Sequence, residues 1–325
     1  MTTPSRDTTG AARLPPSGAG SAGAGAATFP RRHGRTWPDD AGETELPNCA
    51  RVHDALFGGA YNFGADRALA AHLTAAVPDL TQDLYAERHF LLRAVRLCAQ
   101  QGVTQFIDLG CGMPTVGNAR AVVRQAAPDA RALCVDLDPL VVDVCATVVH
   151  DDARAAVVQA DIRRPDDVLD HDTTQALLNL DQPVAVLAIG VLHLVDQPQP
   201  IIGRLLERLP AGSVLVASHL TAGSCPADVA ALVDLAQATG PCLVLRSRTE
   251  VKDLFTGLAL TRPGVTYAPR WQPDSDDVVE LRRGTSLPES AADQPTGLLP
   301  LEGQDPDQPN RGPRRTQRAA SRDRR

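Results

Sequence analysis

Phe106-Ile107-Asp108-Leu109-Gly110-Cys111-Gly112-Met113-Pro114-Thr115 is an apolar run that ends in a glycine turn and leads directly into a helical pattern. Strand-to-helix turns of this kind are where α/β proteins bind nucleotides. Two glycines one residue apart allow a sharp turn and a close approach by the backbone, and the helix that follows offers unpaired N–H groups. The third glycine of a dinucleotide fingerprint is missing, because Thr115 stands where G-x-G-x-x-G requires it and Pro114 precedes it. A pyrophosphate cradle is therefore disfavoured, and another adenosine ligand leads.

From about residue 47 to 272, short aliphatic runs alternate with amphipathic segments, which predicts repeated β-α units and a parallel sheet. Strands are expected near 104–109, 131–136, 155–160, 183–190 and 213–219. Helices are expected near 115–127, 138–149, 165–179 and 198–209, with Pro210-Ala211-Gly212 ending the last. Residues 226–238 and 247–255 also read as helical. The runs 257–261 and 265–270 flank Arg262-Pro263-Gly264 and predict an antiparallel hairpin that brings the strands to seven. Ahead of the first strand, helical segments at 50–57, 66–77 and 81–101 form a cap, interrupted by Gly58-Gly59-Ala60-Tyr61-Asn62-Phe63-Gly64. That interruption reads either as a plain linker or, as we prefer, a loop closing over ligand.

The ends differ from this middle. Residues 1–45 are rich in Gly, Ala, Ser, Thr and Pro without apolar periodicity, and 274–325 again lack long apolar runs. Both are expected to be disordered, leaving a single domain over 46–273 that includes the cap at 46–103. Residues 311–325 carry seven Arg against one Asp, so the net charge of −7 leaves a clearly acidic remainder. An acidic folded region without a basic stripe argues against nucleic acid as the main partner, apart from weak contact through the tail. Seven cysteines, widely spaced and never C-x-x-C, give neither a zinc site nor a disulfide framework, and no metal is expected. With no apolar leader and no long apolar span, a cytoplasmic protein without membrane contact is the expectation.

The chemistry gathers at the predicted strand ends. Asp108 closes the first strand before Gly110, Cys111 and Gly112. The second ends at Asp136-Leu137, twenty-six residues after Gly110, where a carboxylate can accept both hydroxyls of a ribose. Asp138, just before Pro139, suits the N-cap of the next helix. The third strand ends at Asp161-Ile162, an acceptor for the exocyclic amine of adenine with an apolar neighbour for its ring; a solvated turn aspartate is the alternative. Gly190 stands at the fourth tip and His193 at its rim, as a structural histidine or a base.

Adenosine held by ribose and base without a phosphate cradle resembles class I S-adenosyl-L-methionine-dependent methyltransferases. The chain is similar to one bacterial S-adenosyl methyltransferase family in particular, formerly a domain of unknown function. Four segments carry the likeness: Pro47-Asn48-Cys49-Ala50-Arg51-Val52-His53-Asp54-Ala55-Leu56-Phe57-Gly58-Gly59, Asn62-Phe63-Gly64-Ala65-Asp66-Arg67, Gly110-Cys111-Gly112-Met113-Pro114-Thr115 and Leu254-Phe255-Thr256-Gly257-Leu258-Ala259-Leu260. The family's usual forms are P-x-x-A-R-V-Y-D-Y-L-L-G-G, D-N-F-x-A-D-R, G-T-G-x-P-T and F-F-x-G-L-x-L. Three departures matter: His53 replaces the usual tyrosine, Tyr61 the usual aspartate, and Ala86-Glu87-Arg88 the usual A-N-R.

The resemblance implies a Rossmann-like class I fold, with a mostly parallel seven-stranded sheet, an antiparallel last strand and an N-terminal helical cap. It implies S-adenosyl-L-methionine as cofactor, S-adenosyl-L-homocysteine as product and a small-molecule acceptor. The amino-acid end of the cofactor would lie against Gly110 and Gly112, with Arg51, Asn62 or Arg88 reaching it from the cap. The altered cap residues leave a second reading, a regulatory protein that binds the cofactor without transferring methyl groups. A nicotinamide-dependent oxidoreductase is a third, weakened by the missing glycine.

Overall fold

The structure, a computed structural model, describes residues 46–115, 117–221, 243–272 and, for the backbone, 295–300. Three helices come first: α1 (Cys49–Leu56), α2 (Gly64–Ala76) and α3 (Leu80–Gln100). Then follow β1 (Gln105–Leu109), α4 (Ala119–Ala126), β2 (Arg131–Asp136), α5 (Pro139–Val149) and β3 (Ala155–Gln159). The second half holds α6 (Pro165–Leu169), α7 (Asp172–Leu177), β4 (Ala185–Ala188), a 3-10 turn at Leu192–Leu194, α8 (Pro198–Arg208) and β5 (Val214–Ser218). After α9 (Arg248–Asp253) come β6 (Thr266–Tyr267) and β7 (Pro295–Pro300).

The sheet order is β3-β2-β1-β4-β5-β7-β6, parallel throughout except that β7 runs antiparallel to both its neighbours. Every residue of β1, β4 and β5 is buried, as expected of strands covered on both faces. Successive side chains divide between two cores with the period of a strand. Ile107, Leu133, Val186 and Leu215 face α6, α8 and α9, whereas Phe106, Ala132, Leu187 and Val216 face α3 and α4.

The five parallel strands fall where the sequence reading put them, and an antiparallel strand completes the sheet of seven, but the predicted hairpin does not form. Residues 257–261 make no strand, and only Thr266–Tyr267 of the second run does. The strand paired with β5 is instead Pro295–Pro300, inside the segment read as disordered, so the sheet extends past the predicted limit at 273. The expected helix at 226–238, the segment 1–45 and the basic end 311–325 lie outside the described residues. Helix α4 starts at Ala119 and not at 115, because the Asn118 side chain accepts the Ala121 N–H and caps it there. No described helix is long and apolar enough to cross a membrane.

Helix α3 joins the cap to the sheet. Leu80 and Leu84 pack with Val52, Ala70 and Leu73 in a cap cluster, while Phe90, Leu91, Ala94 and Cys98 pack on the sheet. Farther along, Arg93 donates to the carbonyls of Ala268 and Trp271, and the buried Trp271 ring meets Phe90 edge-on at 5.3 Å. Within the cap, buried Asp66 accepts from Asn48 N–H, Phe63 N–H and Arg51 Nε, and the Arg51 guanidinium also lies over the Phe63 ring. Removing one partner strands the other charge inside the cap. Arg51→Ala should therefore lower the unfolding free energy by about 3–5 kcal/mol, measured by chemical denaturation followed by circular dichroism. A loss smaller than a typical surface substitution would contradict the assignment.

Candidate active site

The glycine loop is bound to the end of β2. Gly110 and Cys111 both donate to the Val135 carbonyl, at 2.8 and 3.0 Å, and Gly112 N–H donates to Asp136 Oδ2 at 2.9 Å. Gly110 has φ +70°, and a Cβ on it would come within 2.5 Å of Val191 Cγ2, so the turn requires glycine twice over. Asp136 Oδ1 accepts the Asp138 N–H at 3.0 Å. With the Leu137 N–H also bearing on it, the carboxylate takes three backbone donors and still has acceptor capacity for a ligand. Burial raises the Asp136 pKa, while the backbone donors at Asp138 and Gly112 oppose the rise.

Asp138 performs the predicted capping: its Oδ1 accepts the Leu140 N–H at 2.8 Å. Its other oxygen accepts from Asn48 Nδ2 at 2.9 Å, and Asn48 itself caps α1 through Oδ1. One asparagine therefore ties the start of the cap to the strand-tip side of the sheet.

The tips and the cap enclose a cavity of about 1110 Å³. Asp108, Gly110, Cys111, Gly112, Asp136, Leu137, Asp161, Ile162, Gly190, His193 and Arg88 all line it, so those sequence candidates converge on one space. Arg51 and Asn62 do not. Arg51 is engaged with Asp66 and the Leu46 carbonyl, and Asn62 donates to Asp54 and the Gly59 carbonyl while accepting from Arg67. Both are cap-building residues. No residue of 57–64 lines the cavity, so the glycine-rich interruption folds around buried Asp54 and does not close over the ligand space.

Electrostatics distinguish the lining groups. Asp108 is buried and makes no hydrogen bond to the described residues; burial lifts its pKa to about 7, opposed by Arg88 and assisted by Asp136. Arg88 lies over the Phe57 ring, and its Nε has no partner among the described residues. Asp161 is held by Arg163, whose Nε and Nη2 both reach its carboxylate, and this keeps its pKa below the usual range. The Cys111 thiol is pushed well up by neighbouring thiols Cys134 and Cys145 and by burial, which removes it as a thiolate nucleophile.

His193 stays neutral, its pKa lowered to about 3 by burial and then by His219, His53 and Arg246. Its Nδ1 accepts a long contact, 3.4 Å, from the Leu220 N–H, which assigns the proton to Nε2. With its pKa lowered to about 3, His193 is a poor proton acceptor. Its segment is held by buried Arg246, which donates to the carbonyls of Leu192, Val195 and Asp196.

Among the lining residues that the sequence reading did not name as site residues are His53 and Glu87. Both stand at positions where the chain departs from the family's usual forms, and that departure was the available signal. Glu87 is only 4% exposed, and its Oε1 accepts from Ser218 Oγ at 2.5 Å, while Ser218 Oγ accepts the Gly190 N–H at 2.8 Å. Burial raises its pKa, against the opposing pull of Ser218 and Arg88.

The family model for S-adenosyl methyltransferase matches residues 35–292. Among solved structures, a candidate methyltransferase from Thermobifida fusca YX is 31% identical with a TM-score of 0.72, covering 82% of this chain and 99% of that one. A DUF574-family protein from Streptomyces avermitilis MA-4680 is 30% identical with a TM-score of 0.73, covering 79% of this chain and 98% of that one. No curated protein matches the chain significantly. Sheet order, glycine loop and matched length agree: the chain belongs to the S-adenosyl methyltransferase family, with the Rossmann-like class I fold.

Proposed function

We propose that the protein is an enzyme that transfers the methyl group of S-adenosyl-L-methionine to a small-molecule acceptor. The observation that carries this reading is the convergence of Asp136, Asp161, Gly110 and Gly190 from four strand ends on one cavity. The residues fit the donor. Asp136 lines the cavity at the end of β2, where its carboxylate can accept from the ribose hydroxyls, and Asp161 and Ile162 at the next tip suit the adenine edge and ring. Adenine at β3 and ribose at β2 leave the amino-acid end over β1 and β4, where Gly110, Asp108 and Arg88 offer backbone and both signs of charge.

The cofactor supplies an already activated methyl group, so the chain has mainly to align and desolvate the reactants. Positioning of this kind is worth about 7–11 kcal/mol in favourable cases. The cap helices cover one side of the cavity, and its volume exceeds what a single drug-sized ligand needs, leaving room for an acceptor beside the donor. A nicotinamide dinucleotide suits the site less well, because α4 begins only at Ala119 and its N-terminus is separated from the glycine loop by 113–118. A small-molecule acceptor and a cytoplasmic location complete the proposal, with nucleic acid limited to weak contact by the basic end.

Calorimetry should show binding of S-adenosyl-L-homocysteine and none of NAD(H); the reverse would overturn the reading. Asp136→Ala should weaken that binding several-fold without changing the circular-dichroism spectrum, and unchanged affinity would remove Asp136 from the ribose site. Asp108 gives a pH prediction. Its folded pKa lies above that of the unfolded chain, so the folded state holds the extra proton between pH 3.8 and about 7 and loses stability as pH rises through that window. Asp108→Asn should raise the melting temperature of the ligand-free protein at pH 8 and flatten its fall from pH 5, while weakening S-adenosyl-L-methionine binding. A variant less stable than wild type at pH 8 would show that Asp108 ionises favourably through its pairing with Arg88.

A further inference from the structure

The cavity has an apolar end and a polar seam. Val52, Leu56, Leu73, Leu80 and Leu84 line it from the cap, and on α3 the residues Glu87 and Arg88 come next, before Leu91 and the sheet. Glu87 therefore stands where the apolar space meets the strand tips. Its Oε1 is held by Ser218, while Oε2 takes no hydrogen bond from the described residues and lies 3.5 Å from the place of a Cβ on Gly190. Gly190 is at the β4 end, over which the transferable methyl of the donor would be presented.

Resting on the methyltransferase reading above, we infer that the acceptor is a neutral, apolar-bodied hydroxyl compound, such as a phenol or alcohol, and that Glu87 takes its proton. The apolar body enters among the cap leucines with its hydroxyl at Oε2. The hydroxyl oxygen bonds to the methyl carbon as the carbon–sulfur bond breaks, its electron pair staying on sulfur. The proton passes to Glu87, leaving a methyl ether, a neutral thioether and a protonated carboxyl that returns the proton to solvent. The apolar cap lining disfavours a permanently charged body there, because burying an unpaired charge among leucines is costly. The family's usual asparagine could hold a hydroxyl but not accept its proton.

Other titratable groups lining the space are Arg88 on the same helix, Cys49 and His53 on α1, Asp108 on β1, Cys111 in the glycine loop, Asp136 and Asp138 at the tip of β2, Asp161 and Arg163 after β3, and His193 and Asp196 after β4. Burial lowers His53 and His193 each to about 3, so neither titrates near neutrality. Asp108, raised to about 7, titrates in the same range as the acid limb of the rate profile, so the limb is followed at saturating S-adenosyl-L-methionine in the Asp108→Asn background, where it is assigned to Glu87, whose pKa burial raises. Ser218 donates to its carboxylate and opposes that rise, so Ser218→Ala should move the limb to higher pH.

The test uses the full chain with methyl-labelled S-adenosyl-L-methionine and a panel of naphthol, ethylphenol, a medium-chain alcohol, and the corresponding amines and carboxylic acids. Label is expected in the hydroxyl compounds as methyl ether. Glu87→Gln and Glu87→Asn should lower kcat by about 100-fold or more with unchanged S-adenosyl-L-homocysteine affinity, and Glu87→Asp should recover part of the rate. Label confined to amines or acids, or to none of the panel by a protein that binds S-adenosyl-L-homocysteine, overturns the inference alone. Wild-type kcat in Glu87→Gln, or an acid limb unmoved by Ser218→Ala, removes Glu87 as the base. A wild-type protein that binds no S-adenosyl-L-homocysteine instead overturns the methyltransferase reading beneath it.

Discussion

The carboxylate of Asp136 organises the strand tips. By accepting the Gly112 N–H on one oxygen and the Asp138 N–H on the other, it fixes the glycine loop to the end of β2 and orients the start of α5. Asp138 can then cap α5 with one oxygen and reach Asn48 with the other, so the position of the cap follows from the same short run of backbone. A charge-assisted acceptor with several backbone donors is well suited to this, because such hydrogen bonds are the stronger kind. The site is built on strand ends, with the loop residues tied down by neighbours in the sheet.

Helix α3 provides the second constraint. One face of its N-terminal half belongs to the cap cluster and its C-terminal half to the sheet, so its middle turn spans the boundary between them. Charged residues in that turn cannot avoid burial. Glu87 is stabilised through Ser218 and Gly190, and Arg88 through the Phe57 ring and the field of Asp108, each contact reaching a different structural element. Buried charges supported in this way hold a functional geometry at some cost in stability.

Much of the fold was legible because parallel strands buried on both faces announce themselves as continuous aliphatic runs, and β1 and β2 fall within a residue of their expected limits. Asp138 as a cap was readable from its place before Pro139, a purely local signal. The partners of Arg51 and Asn62 were not, since a buried arginine or amide in a cap looks the same in sequence whether it meets a ligand or a neighbouring acid. Asp66 and Asp54 decide the matter, and both act across turns whose geometry exists only in the folded cap. Residues 295–300, Pro-Thr-Gly-Leu-Leu-Pro, carry prolines at both ends and a glycine within, a composition that reads as loop. They are a strand because β5 and β6 present edges that need a partner, which is a tertiary demand.

That insertion of β7 between β5 and β6 bears on where the molecule can be cut. The main chain of Val214–Ser218 is paired with β4 on one side and with β7 on the other, and all five residues are buried. A chain ended at 273 would keep the cap and the strand tips but expose an apolar edge, a template for pairing with a second molecule. The boundary that keeps the β5 edge covered therefore lies some distance beyond the last residue needed to shape the cavity.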